Sequence, residues 1–169
     1  MIHSPQALKG RIFTVFDRMF DEPPVVDSRD WLDGDSLELL SGKNYRELVP
    51  LLTKELDVFP LFALIPHEAG RYYLASALIA HVNCLQGVVD CRNPKYRWMH
   101  EAYCLIGTIY ISMIEFLRRK ETVEWILLNE DLRRLIGDVF DTTNELLSDL
   151  EESNLKDVRQ IISELRASC

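Results

Sequence analysis

The chain is expected to be an all-α, single-domain bundle of about six or seven helices packed around two largely buried central ones. Three observations predict it. Apolar residues recur at helical spacing in most segments, and most prolines and helix-capping residues fall between those segments. With 47% hydrophobic and 27% charged residues, a chain of 169 can also close one sizeable core. The β-branched run Ile109 to Ile111 has no second strand candidate to pair with, and a lone strand cannot satisfy its backbone.

Ser4 followed by Pro5 reads as an N-cap with proline in the first helical turn, after which Leu8, Ile12, Val15, Phe16 and Met19 share one face. That helix must stop before Pro23-Pro24. From Asp27 to Asp35 neither period is sustained and carboxylates are dense, which predicts an exposed loop or one short turn. Helical spacing resumes with Tyr45, Leu48, Val49, Leu52 and Leu56, and Pro50 should kink or shorten this element.

Pro60 and Pro66 bracket a compact apolar link, and Pro66-His67-Glu68 starts a helix that should run to about Gln86. Its Tyr72, Tyr73, Leu74, Leu78, Ile79, Val82 and Leu85 cover most of the circumference. After Asn93-Pro94 the pattern repeats, with Tyr103, Leu105, Ile106, Ile109, Tyr110, Met113, Ile114, Phe116 and Leu117 leaving little polar face. These are the two central helices. Further on, Leu132, Leu135, Ile136, Val139, Phe140, Leu146, Leu147 and Leu150 form a stripe opposite Arg133, Asp138, Asp141, Glu145 and Asp149, with Asn129 as its N-cap. Leu155, Val158, Ile161, Ile162 and Leu165 predict a last amphipathic helix. No internal repeat, low-complexity tract or Gly/Ser linker interrupts residues 1–169, so one domain is expected.

A net charge of −8 and a pI near 5.0 argue against a phosphate-binding surface, hence against direct nucleic-acid contact, and favour basic partners. The start Met1-Ile2-His3-Ser4-Pro5 has no charged leader and apolar run, so Cys84, Cys91, Cys104 and Cys169 are expected to stay reduced in a cytoplasmic protein. The apolar stretch Cys104 to Ile114 falls short of the ~20 residues that cross a bilayer, and no membrane association is expected.

Leu40-Ser41-Gly42-Lys43-Asn44-Tyr45-Arg46-Glu47-Leu48, followed by Ile65-Pro66-His67-Glu68-Ala69-Gly70-Arg71-Tyr72-Tyr73-Leu74, resembles an uncharacterised family of small bacterial proteins. That family shows a Gly-Lys-x-aromatic-Arg-Glu-Leu segment and then a Pro-Glu-Ala-x-Arg-Tyr-Tyr-Leu helix opening. The resemblance spans residues 12–80, under half of the chain. His67 stands between Pro66 and Glu68 as a departure, and Ala75-Ser76 replaces a commoner Pro-Ala pair. The resemblance implies a bacterial, cytoplasmic, helical domain and brings no activity with it. As physics, the second motif is packing: proline and Glu68 start a helix while Tyr72 and Tyr73 bury large rings whose hydroxyls need partners, and Arg71 is placed to pair with a carboxylate such as Glu47.

Chemistry-bearing residues are sparse in pattern. His81 and Cys84 stand at i and i+3 on one central helix, and His100 and Cys104 at i and i+4 on the next, a set that would suit tetrahedral zinc with Cys91 as a substitute ligand. The spacing does not match the close cysteine pairs of common zinc modules, so these residues are expected to be core and no metal or cofactor is assigned. His67-Glu68 and His100-Glu101 each open like a metalloprotease helix, but Arg71 and Cys104 occupy the positions where the second histidine is required. A nucleophilic Cys104 would have to be exposed, and its surroundings are apolar. No catalytic residue is assigned.

One surface feature can specify a partner. Trp31 stands among Asp27, Asp30, Asp33, Asp35 and Glu38, an aromatic anchor ringed by carboxylates that suits a basic protein patch. The expected function is therefore a non-catalytic acidic inhibitor or immunity-type protein that neutralises a basic partner such as a bacterial toxin or nuclease. The alternative is a small helical enzyme or ligand sensor with a pocket beside Arg71, Tyr72 and Tyr73; a third reading is an assembly subunit with an exposed apolar helix face.

Overall fold

A computed structural model describes residues 3–26, 40, 42–54, 62, 65–92, 109 and 113–147. The protein is all-α, with no strand among the described residues. The elements expected at 27–35, 93–108 and 150–165 lie outside them.

The first helix, α1 (Pro5–Met19), begins as its residues dictate: the Ser4 side chain accepts the Ala7 amide at 3.2 Å and Pro5 fills the first turn, where no donor is needed. Leu8, Ile12 and Phe16 are buried along one face. The second helix, α2 (Tyr45–Lys54), runs through Pro50. Pro50 and Arg46 are both exposed residues one turn apart, a side of the helix where water can serve the carbonyl that the proline cannot.

The third helix, α3 (His67–Asp90), is the central one: sixteen of its 24 residues are buried, more than a surface helix can hide. It continues four residues past the expected end at Gln86, because Val88 still finds apolar company in a satellite cluster with Ala80, Leu85, Ile109 and Leu147. By length and composition alone α3 would pass for a membrane span, yet 78% of its apolar window is buried inside the protein. α1 and α2 cover it most extensively.

Of the second central element, Ile109, Met113, Ile114, Phe116 and Leu117 are described, and all five are buried. Among the described residues two helices follow, α4 (Lys120–Leu127) and α5 (Glu130–Leu146). Only α5 was expected. Its cap is the predicted Asn129, which accepts the Leu132 amide at 3.0 Å, and Leu132, Leu135, Ile136, Val139 and Phe140 form the predicted stripe. α5 packs on both α1 and α3, fastened to α1 where Arg11 meets Asp138 at 2.5 Å.

Gly70 sets how closely the Phe116 segment approaches α3. A Cβ there would stand 2.2 Å from Phe116 Cε2 and 3.0 Å from Ile65 Cγ2. The Phe116 ring has little room to retreat, being fully buried between Phe62 and His67. Gly70→Ala should therefore destabilise the fold by about 1–3 kcal/mol in urea denaturation, through overpacking, and a second change, Phe116→Leu, should recover part of that loss.

Candidate functional site

The two sequence motifs meet in space at the start of α2. Asn44 caps this helix: its side-chain oxygen accepts the amides of Arg46 at 2.9 Å and Glu47 at 3.1 Å, while the Glu47 carboxylate accepts the Asn44 amide at 2.8 Å. This is a capping box, Asn-x-x-Glu, and the remaining first-turn amide, that of Tyr45, donates to the Tyr72 hydroxyl at 3.3 Å. Tyr73 completes the joint. Its hydroxyl lies 2.9 Å from the carbonyl oxygens of both Leu40 and Lys43, the two ends of a turn in which Gly42 takes φ +68°, a conformation that favours glycine. Ser76 Oγ adds a bond to the Tyr45 carbonyl at 2.6 Å.

From the other side, Asp17 of α1 accepts both the Tyr45 hydroxyl and, at 2.6 Å, the Arg46 guanidinium, which lies over the rings of Phe13 and Tyr45. Burial raises the pKa of all three phenols. Tyr73 is pushed up to about 12, and Tyr45 is driven higher by burial with further help from Asp17. These hydroxyls are neutral hydrogen-bonding groups at physiological pH. Tyr72 and Tyr73 thus belong to the core, with their polar atoms committed to holding α2 against α3.

Arg71, the third residue of the alternative pocket, points elsewhere. Its Nε donates to His67 Nε2 at 2.9 Å, one turn back, and its guanidinium lies 5.3 Å from the centre of the Trp125 ring on α4. The expected pairing with Glu47 does not form: Arg71 turns to His67 and Trp125, while Glu47 stands at the start of α2. His67 is half-buried and stacked on Phe116. Since arginine can only donate, Nε2 must be the acceptor and the neutral ring carries its proton on Nδ1. That nitrogen is buried and lacks a hydrogen-bond partner among the described residues. Arg119, at the start of α4, donates to the carbonyls of Ile65 at 2.6 Å and Phe62 at 3.1 Å, tying α4 to the chain that leads into α3.

Of the metal candidates, His81 is fully buried with Nε2 2.7 Å from Thr143 Oγ1, and Cys84 lies in the satellite cluster. Thr143 in turn bonds the Val139 carbonyl at 2.8 Å, so His81 is a polar link between α3 and α5. His100 and Cys104 lie outside the described residues, and no group of three potential ligands occurs among those described. The acidic set Asp27, Asp30, Trp31, Asp33, Asp35 and Glu38 also lies outside them, though both its flanks are placed: Val26 packs against the core and Leu40 is fully buried. Sequence reasoning missed the roles that Asn44, Glu47, Asp17 and Arg119 take. The first two were legible as a capping box; the last two act across long sequence distances and leave no local signal.

No family model matches the chain, and no characterised protein or solved structure is significantly similar to it.

Two measurements check this geometry. Tyr73→Phe removes one donor shared by two carbonyls, that of Leu40 buried and that of Lys43 partly so, and should lower stability by about 1–2 kcal/mol, with faster hydrogen exchange at the Lys43 amide, which closes the same turn. For His81, burial holds the ring down to about 4, against 6.5 for an unburied histidine. The unfolded chain takes up this proton first, so the neutral ring's contribution to stability is complete above pH 6.5 and is lost as pH falls toward 4. It amounts to about 3 kcal/mol. Urea unfolding of the protein and of His81→Gln should show the two stabilities converging or crossing on acidification; parallel pH curves would refute the assignment.

Proposed function

We propose that the protein is a non-catalytic binding protein that neutralises a basic protein partner, in the manner of an acidic inhibitor or immunity protein, through the segment carrying Trp31. The observation that carries this reading is where the charge resides. Residues 27–38 hold five carboxylates and one arginine, so a twelve-residue stretch contributes four of the eight net negative charges. On the described helices, by contrast, carboxylates are repeatedly matched by cations, as in Arg11–Asp138, Arg46–Asp17, Lys120–Glu124 and Arg134–Glu130. Charge added for solubility alone would be spread over the surface. Concentrated charge around a tryptophan speeds encounter with a basic patch and offers one large ring for desolvated contact.

A second observation favours binding over chemistry. The phenols and the imidazole that a reaction would need are engaged in holding helices together: Tyr72, Tyr73 and His81 all direct polar atoms at neighbouring elements.

Pull-down from the native host with the intact protein, followed by calorimetry on the captured partner, tests the reading. The affinity should be on the order of nanomolar and weaken about tenfold or more between low and high salt. Combined substitution Asp30→Asn, Trp31→Ala and Asp33→Asn should reduce it by about a hundredfold or more, as loss of a hot spot does. Full affinity in that triple variant would reject this surface.

A further inference from the structure

The contact between His67 and Arg71 can exist in only one protonation state of the imidazole. The Arg71 Nε–H donates to Nε2 at 2.9 Å, and that lone pair is the site a second proton would take. Once protonated, the ring presents N–H to N–H and positive charge to positive charge. The bond cannot survive. Arg71 does more than contact His67, since its guanidinium also covers the Trp125 ring. His67 is half-buried, so solvent protons can reach it.

We propose that His67 and Arg71 form a pH-sensitive latch: protonation of His67 expels Arg71 and uncovers the face of Trp125 where α3 meets α4.

The charged groups around His67 set the direction. On α3 itself Arg71 opposes protonation and Glu68 favours it; at the start of α4, Arg119 opposes and Glu121 favours it; from the segment before α4, Phe116 contributes an uncharged ring. Burial is the largest influence and, with Arg71, holds the imidazole below its usual 6.5. The latched state is therefore complete at neutral pH and is lost as pH falls below that value. The surface that changes is already aromatic and half-exposed, with Phe20 next to Trp125 at 6.5 Å between ring centres. Exposing an indole face while freeing a guanidinium alters both the apolar and the charge character of this junction.

Trp125 is one of three tryptophans, so a Trp31→Phe, Trp98→Phe background makes it the sole reporter. Acrylamide quenching from pH 7.5 to 5 should rise on the order of twofold, matching loss of a weak cation–π contact. The rise should follow a single-proton curve with its midpoint below 6.5. In His67→Gln the amide oxygen accepts from Arg71 at every pH, and quenching should stay low and flat. NMR on the unaltered protein provides the same readout without removing tryptophans: the His67 ring and the Arg71 Nε–H resonance should titrate together. A flat quenching profile, a transition that persists in His67→Gln, an Arg71 resonance indifferent to the His67 titration, or a rise that coincides with loss of helical circular dichroism would each overturn the latch.

Discussion

A helix whose apolar residues wrap its circumference cannot be covered by a single neighbour, and α3 is such a helix. α1, α2 and α5 each pack against it. Apolar area supplies the driving force but has no direction. Direction comes from the few polar atoms α3 carries inward. Tyr72, Tyr73 and Ser76 bond the backbone at the start of α2, and His81 bonds Thr143 of α5. A buried hydroxyl left without its partner costs about 1–3 kcal/mol, so each bond selects one register of helix against helix. The joint at Tyr45 shows this most clearly, since it receives Tyr72 and Ser76 from α3 and Asp17 from α1.

Local signals in the sequence were legible where the structure uses local physics. Ser4 and Asn129 cap their helices as their residue types require, and the stripe from Leu132 to Phe140 is buried on the predicted face. Departures arise where long-range packing decides. α3 extends to Asp90 because Val88 is covered by the satellite cluster, something no window of sequence around Gln86 reveals. α4 escaped notice for a different reason. It has eight residues, begins at Arg119 without a side-chain cap, and owes its position to Arg119 reaching the carbonyls of Phe62 and Ile65 more than fifty residues away. Arg71 illustrates a matter of direction. Glu47 carries the right charge, but it stands at the start of α2 while Arg71 turns toward α4.

The same geometry separates the residues offered for a ligand pocket. Tyr72 and Tyr73 are adjacent in sequence to Arg71 yet face a different neighbour, because consecutive helical residues lie about 100° apart around the axis. The tyrosines turn toward α2 and the arginine toward α4. A motif that reads as one constellation in the chain is therefore two contacts in space. The Gly-Lys-x-Tyr-Arg-Glu-Leu segment and the Tyr-Tyr pair are linked for a structural reason, since Lys43 and Tyr45 meet Tyr73 and Tyr72 directly.

This division bears on how the acidic segment would work in the proposed reading. Its two flanks are both placed: Val26 packs on the core, and the carbonyl of Leu40 receives the Tyr73 hydroxyl. A segment fixed at both ends has fewer conformations to lose on binding than a free tail of the same length, so less of its contact energy is spent on ordering. Loosening the Tyr73 anchor would release one end without touching a single carboxylate. Affinity would then fall through conformational entropy while the dependence on salt stayed the same, because the number of charges meeting the partner is unchanged. A loss of affinity through the carboxylates themselves would carry the opposite mark, a shallower dependence on salt.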